Sequence, residues 1–186
     1  MLFRSNAVYI YFNEFLPICN STLDKMWRRK LHYGPAWILK SVLRLNRWFG
    51  TNHEAGFRKT SDRDVHNLLE KHRATLELSE LDEERGWEGL SRLGLKKTDK
   101  FVCLLVRDNA YLNHVQPPKK VNGWSYHDFR DSSIANYVQM AEYVASRGYF
   151  VLRMGVKVNQ RLVASHPSVI DYANTDIRSD FMDIFL

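Results

Sequence analysis

The chain has 186 residues, about one ordinary domain or one and a fraction. Hydrophobic residues make up 45% of it and aromatic residues 13%, which excludes an intrinsically disordered chain and supplies ample material for a core. No apolar run approaches the ~18 residues of a membrane span, and a net charge of +6 makes the placement of the basic residues the first question.

In chain order, residues 7–12 (AVYIYF) read as a short strand. A helix is expected from Ser21 to about His32, with Leu23, Met26, Trp27 and Leu31 on one face, until Gly34-Pro35 breaks it. A second helix carries Ile38, Val42, Leu45 and Phe49 at helical spacing and ends at Gly50. These two helices hold the whole charge excess. Lys25, Arg28, Arg29, Lys30, Lys40, Arg44 and Arg47 stand there against the single acid Asp24, and the remaining chain is balanced. The break divides the bases, so they read as solvated helix faces with Trp27, Trp37 and Trp48 packed inward. The alternative is a basic module contacting an anionic membrane surface or a nucleic acid through residues 25–47. Of these two partners, peripheral contact with the membrane is retained and no nucleic acid is expected. A third helix begins at Ser61 or Asp62 and contains Val65, Leu68 and Leu69. A fourth opens at Ser79 with a capping-box pattern toward Asp82-Glu83, runs through Trp87 and Leu90, and stops at Gly94.

Beyond residue 95 the pattern changes. Residues 101–106 (FVCLLV) form a continuous apolar run, as expected of a strand buried on both faces, with Cys103 as a core thiol. Asp131-Ser132-Ser133 caps a helix whose apolar face is Ile134, Tyr137, Val138, Ala141, Val144 and Ala145; Gly148 follows it, and residues 149–154 (YFVLRM) are the next strand. This is a β-α-β unit, for which parallel strands are the rule. Residues 168–172 (SVIDY) supply a third strand. The fold class is therefore α/β: a mostly helical segment over 1–95, then a parallel, Rossmann-like sheet over 96–186. The chain stops in FMDIFL, an apolar-periodic helix expected to expose three large side chains, so both parts are expected to be incomplete. Two cysteines make no disulfide framework and the first residues do not form a secretory leader, which makes a reduced, cytoplasmic setting the default.

The candidate site lies where the first of these strands ends. Ligands of open parallel sheets bind beyond the carboxyl ends of the strands, and the run 101–106 leads directly into Arg107-Asp108. The following connection, 107–130, is long enough to suggest function and is rich in aromatic and polar residues, among them Tyr111, Tyr126, His127 and Arg130. Arg153-Met154-Gly155 ends the neighbouring strand. Convergence of Arg107, Arg130 and Arg153 on one crevice would suit a diphosphate, because guanidinium is a planar fork for phosphate. Asp108 and His127 are the candidate acid–base groups. There is no Walker A loop, G-x-G-x-x-G fingerprint or nucleophile elbow, and no Cys/His spacing for zinc. Asp62-Arg63-Asp64 has the D-x-D form of a metal holder but opens a helix, where capping explains it.

The stretches FVCLLVRDNAYL, YHDFRDSSIANY, YFVLRMG, HPSVIDYA and RSDFMDIFL, in that order, resemble a family of bacterial glycosyltransferases in which a strand ends in His-Val-Arg-Asp followed by Ser-Ala-Tyr-Leu. CNSTLDKMWRR and SDRDVHNLLEKH are also similar to it, so the resemblance covers nearly the whole chain. A more distant resemblance is to the fucosyltransferase-like group with two Rossmann-like domains, the GT-B type. The resemblance implies transfer of a sugar from a nucleotide-sugar donor to a glycan or other cell-surface acceptor, with no metal and no cofactor, the nucleotide-sugar being a substrate. Arg107 would be the ligand of the donor phosphate, with Tyr111, Tyr126, Arg130, Arg153 and Gly155 around the donor. The enzyme would work in the cytoplasm, at the inner membrane face where it has a membrane contact. Leu105 stands where the family has its His, and Asn109 where it has Ser. The family continues past the last residue with a small-residue segment, so this chain is expected to be an inactive fragment of such a transferase; a non-catalytic remnant that pairs with another subunit is a further alternative.

Overall fold

The computed structural model describes residues 10–11, 18–50, 67–71, 75–115 and 125–186. The chain divides into two compact units, Met1–Glu77 and Leu78–Leu186. The fourth helix, grouped by its sequence with the N-terminal segment, belongs to the second unit, because its buried face packs into that unit's core.

In the first unit, β1 (Ile10–Tyr11) pairs in parallel with β2 (His32–Tyr33). Helix α1 (Ser21–Lys30) starts where the Asn20 side chain accepts a hydrogen bond from the Leu23 N–H at 2.8 Å. Asp24 and Arg28, one turn apart, pair at 2.7 Å, and the Arg28 guanidinium lies over the Tyr33 ring. The helix stops short of the expected His32, since the backbone approaching Gly34-Pro35 is extended and His32 and Tyr33 find a strand partner instead. Helix α2 (Ala36–Trp48) follows Pro35 and has no fully buried residue. Trp37 and Trp48 do not pack inward: they are 74% and 80% exposed, while Trp27 is half-buried. Of the third predicted helix, α3 (Leu68–Lys71) is described and its start, with the Asp62-Arg63-Asp64 motif, lies outside the described residues.

The second unit is a mixed α/β structure around a three-stranded parallel sheet, β3 (Lys100–Leu104), β4 (Tyr149–Arg153) and β5 (Val169–Ile170), in that spatial order. Helix α4 (Glu80–Arg92) opens on a complete capping box between Ser79 and Asp82. Helix α5 (Ala110–Val115) follows β3, inside the connection that shows no periodicity in sequence. Ser133 caps a short 3₁₀ turn, Ile134–Tyr137, that leads into α6 (Val138–Ser146). Side chains of β4 alternate between two cores. Leu152 joins Leu90, Leu95, Tyr172 and Phe181 on one face, and Val151 joins Leu104, Ile134, Ala141 and Ala145 on the other. Helices thus cover both faces of β4, as a parallel sheet requires. Burying a Leu such as Leu152 completely contributes roughly 1.5–3 kcal/mol.

Two expectations are corrected here. The run 101–106 is not buried on both faces. Its strand ends at Leu104 and pairs with β4 alone among the described residues; Val102 faces solvent and Leu105 is 77% exposed. Cys103 is half-buried rather than enclosed; it donates to the Leu186 carbonyl at 3.6 Å, and burial pushes its thiol pKa up. At the other end, α7 (Met182–Phe185) does not leave its apolar residues exposed. Phe181 and Met182 are buried in the core shared with Leu90, and Phe185 stacks against Phe181 and meets the edge of Trp87. Among the described residues no helix is long and apolar enough to cross a membrane.

Candidate functional site

The carboxyl ends of β3 and β4 lie side by side, Leu104 opposite Arg153, and the Met154 N–H extends the pairing to the Leu104 carbonyl at 2.9 Å. Past this edge the Ser132 N–H donates to the Arg107 carbonyl at 2.9 Å, which holds the connector before α6 against the end of β3. Between them opens a cavity of about 340 Å³. Most of its lining residues carry polar or charged side chains, including Asp108, Asp131, Ser133, Asn159, Gln160 and Arg153.

Asp108 organises this edge. One carboxylate oxygen accepts from the Ala110 N–H at 3.0 Å and starts α5; the other accepts from the Asn159 N–H at 2.9 Å and lies 3.8 Å from Arg153 Nη2. The Asn159 side-chain amide then donates to Asn109 Oδ1 at 2.8 Å, so two consecutive residues after β3 grip the loop after β4. That loop begins at Gly155, whose φ of +152° disfavours an L side chain and where a Cβ would press on Val158. Across the cavity, Ser133 Oγ and Gln160 Oε1 are 3.0 Å apart.

Arg153 is 1% exposed. Its Nη1 donates to Asp171 Oδ1 at 3.4 Å, and its Nε is buried without a hydrogen-bond partner among the described residues. A charge on the last residue of a buried strand survives because two carboxylates neutralise it, one after β3 and one after β5. Asp171 is tied down in turn, accepting from the Leu162 N–H at 3.1 Å and the Asn174 amide at 2.7 Å.

The three expected guanidinium groups do not meet as free phosphate ligands. Arg153 reaches the cavity already paired. Arg107, its side chain 47% exposed, has its Nε 3.5 Å from Asp131 Oδ1. Arg130 is exposed and lies over the Phe129 ring. Acids account for two of the three: Asp108 and Asp171 hold Arg153, and Asp131 holds Arg107. Tyr111 lies half-buried on α5 and does not line the cavity. Tyr126 and His127 belong to the 3₁₀ helix Ser125–Arg130, and their side chains lie outside the described residues. Asn159, Gln160 and Asp171 were not singled out from sequence. For Asp171 a signal existed, an acid ending one short apolar strand while a base ends another. For Asn159 and Gln160, in an irregular loop, there was none.

A second cavity, about 290 Å³, lies between α4 and the segment before α7 and contains none of the sequence-predicted site residues. Among the described residues no group of three or more His, Cys, Asp or Glu is arranged to hold a metal ion. No family model, curated protein or solved structure matches the chain.

Proposed function

We propose that the chain carries part of the donor site of a metal-independent glycosyltransferase of the GT-B type, with residues 96–186 as the first half of its Rossmann-like nucleotide-sugar domain. The observation that carries this reading is the polar cavity at the carboxyl ends of β3 and β4, flanked by Arg107 and walled by carboxylates and side-chain amides. Carboxylates and amides accept hydrogen bonds from sugar hydroxyls. Arg107, on an exposed side chain beside that wall, supplies the fork that a diphosphate needs. In this reading the sugar occupies the cavity, and Arg107 stabilises the charge that grows on the departing diphosphate. Asp108 holds the loop Gly155–Gln160 in place, and Arg153 holds Asp108. The motif resemblance supplies the reaction class, and the acceptor is a glycan or another cell-surface molecule.

The test is calorimetric titration of the chain with uridine and guanosine diphosphates and their sugar conjugates. Binding of at least one, weakened about tenfold or more by Arg107→Ala, is the expected result for loss of a charge-assisted pair. Equal affinity in the Arg107→Ala chain, or no binding by any of these nucleotides, overturns the reading.

A further inference from the structure

The exposed tryptophans of α2 belong to a pattern. At 3.6 residues per turn, Trp37, Trp48, Leu45, Ile38 and Val42 occupy one arc of about 140°. All five are exposed, and Phe49 beyond the helix end continues the arc. Leu39 and Leu43, on the opposite side, are half-buried, as is Lys40 at the near flank. Lys40, Arg44 and Arg47 fall together on the flank next to the two tryptophans, and α2 contains no acid. Helix α1 adds Lys25, Arg28, Arg29 and Lys30, all exposed, against the single Asp24.

An apolar arc that large on a water-facing helix needs a cover. Its chemistry points to one kind of cover. Bases along one flank match anionic headgroups, the tryptophans sit at the boundary where an indole has one end in hydrocarbon and one at the headgroups, and the aliphatic residues lie deepest. Thirteen residues are too few to span a bilayer, so the helix lies in its plane. A second copy of the chain would bring the same bases against themselves, and a nucleic acid would use the bases and leave the apolar arc in water. We infer that α2 is an in-plane anchor that docks this protein on an anionic lipid bilayer through Trp37, Trp48 and the aliphatic arc, with Lys40, Arg44 and Arg47 at the headgroups.

The experiment is cosedimentation of the full chain with vesicles of phosphatidylglycerol in phosphatidylcholine and with vesicles of phosphatidylcholine alone, at low and raised salt. Three altered chains accompany it: Trp37→Ser with Trp48→Ser, Lys40→Glu with Arg44→Glu, and Arg107→Ala. The anchor predicts binding to anionic vesicles that weakens with salt, a blue shift of tryptophan emission, and a loss of about tenfold or more in partitioning for each of the first two variants. Arg107→Ala binds as the parent chain does, so the result is independent of the sugar-donor reading. The proposal fails if anionic vesicles are not bound, if neutral vesicles are bound as well, or if the tryptophan variant binds undiminished, which would leave charge alone. It also fails if the tryptophan substitutions abolish a dimer in a chain that ignores vesicles, or if an oligonucleotide binds with equal strength to the parent and the tryptophan variant. Circular dichroism of both helix variants checks that the fold is intact. Should the tryptophan variant unfold, the charge-reversal variant decides.

Discussion

Arg153 Nη1 stands 3.4 Å from Asp171 Oδ1, and this pair joins the last residue of β4 to the residue after β5. The two partners are not equivalent. Arg153 is wholly enclosed, and without Asp171 only Asp108, at 3.8 Å, faces its charge among the described residues. Asp171 keeps two other donors if Arg153 is lost. Asp171→Ala should therefore cost about 3 kcal/mol of unfolding free energy, and Arg153→Met clearly less, since methionine fills much of the volume without a charge. Urea denaturation of the two variants measures the order. Equal stabilities would mean that the enclosed charge finds another partner.

Gly86 lies in α4 under the ring of Phe185, where a Cβ would fall on the ring carbons. Gly89, one turn on, meets the flexible end of Met182 instead. Alanine in a helix gains up to about 1 kcal/mol over glycine from propensity, but forcing a packed ring aside costs about 1–3 kcal/mol. Gly86→Ala should thus lower stability while Gly89→Ala leaves it nearly unchanged or raises it. Denaturant midpoints separate the two, and a stabilised Gly86→Ala would show that α7 yields easily.

Much of the second unit was legible because its signals are local. The spacing of Ile134, Ala141 and Ala145 marks one helix face, Ser79 and Asp82 cap α4, the run at 149–154 holds β4, and the run at 168–172 holds the shorter β5 before a 3₁₀ turn begins at Tyr172. What escaped is set by partners distant in sequence. An apolar run such as FVCLLV looks the same in the middle of a sheet as at an edge, so the exposure of Val102 and Leu105 could not be read from it. Arg153 looked like a ligand because nothing nearby accounts for it; its neutralising acids lie 45 residues before and 18 after. In α2 helical spacing correctly gave a helix, but an apolar arc by itself does not say whether protein covers it, and Trp37 and Trp48 are in water.

Tyr172, buried in the core, donates its hydroxyl to Asp183 Oδ1 at 2.9 Å. Burial, and then the hydrogen bond and charge of Asp183, push its pKa well above the usual tyrosine value of about 10. The folded state therefore holds this proton more tightly than the unfolded chain does. The stabilisation is fully present below about pH 10 and is lost as the pH rises further, since the unfolded chain ionises first. Tyr172→Phe should cost about 1 kcal/mol at neutral pH, where the hydrogen bond is lost, and should flatten the alkaline decline. Thermal melts of both chains from neutral pH upward test this, and parallel curves would exclude Tyr172 as the source.

Asp131 holds Arg107 at 3.5 Å, with both side chains partly open to water. Such a pair is worth at most about 1 kcal/mol, so a phosphate can displace the carboxylate, but it must do so against a like charge. If Arg107 is the phosphate ligand, Asp131→Asn should strengthen nucleoside diphosphate binding severalfold at low salt, because it releases the guanidinium and removes a repelling charge. The gain should shrink as salt screens the site. It should also be smaller in an Arg107→Ala background, where Asp131 has no fork to release and only the repelling charge is removed. Titrations of the two single variants and the double variant form a cycle whose coupling isolates the pair. Additive effects would mean that the two residues act on the ligand separately, and a weaker Asp131→Asn chain would make the carboxylate itself a contact of the ligand.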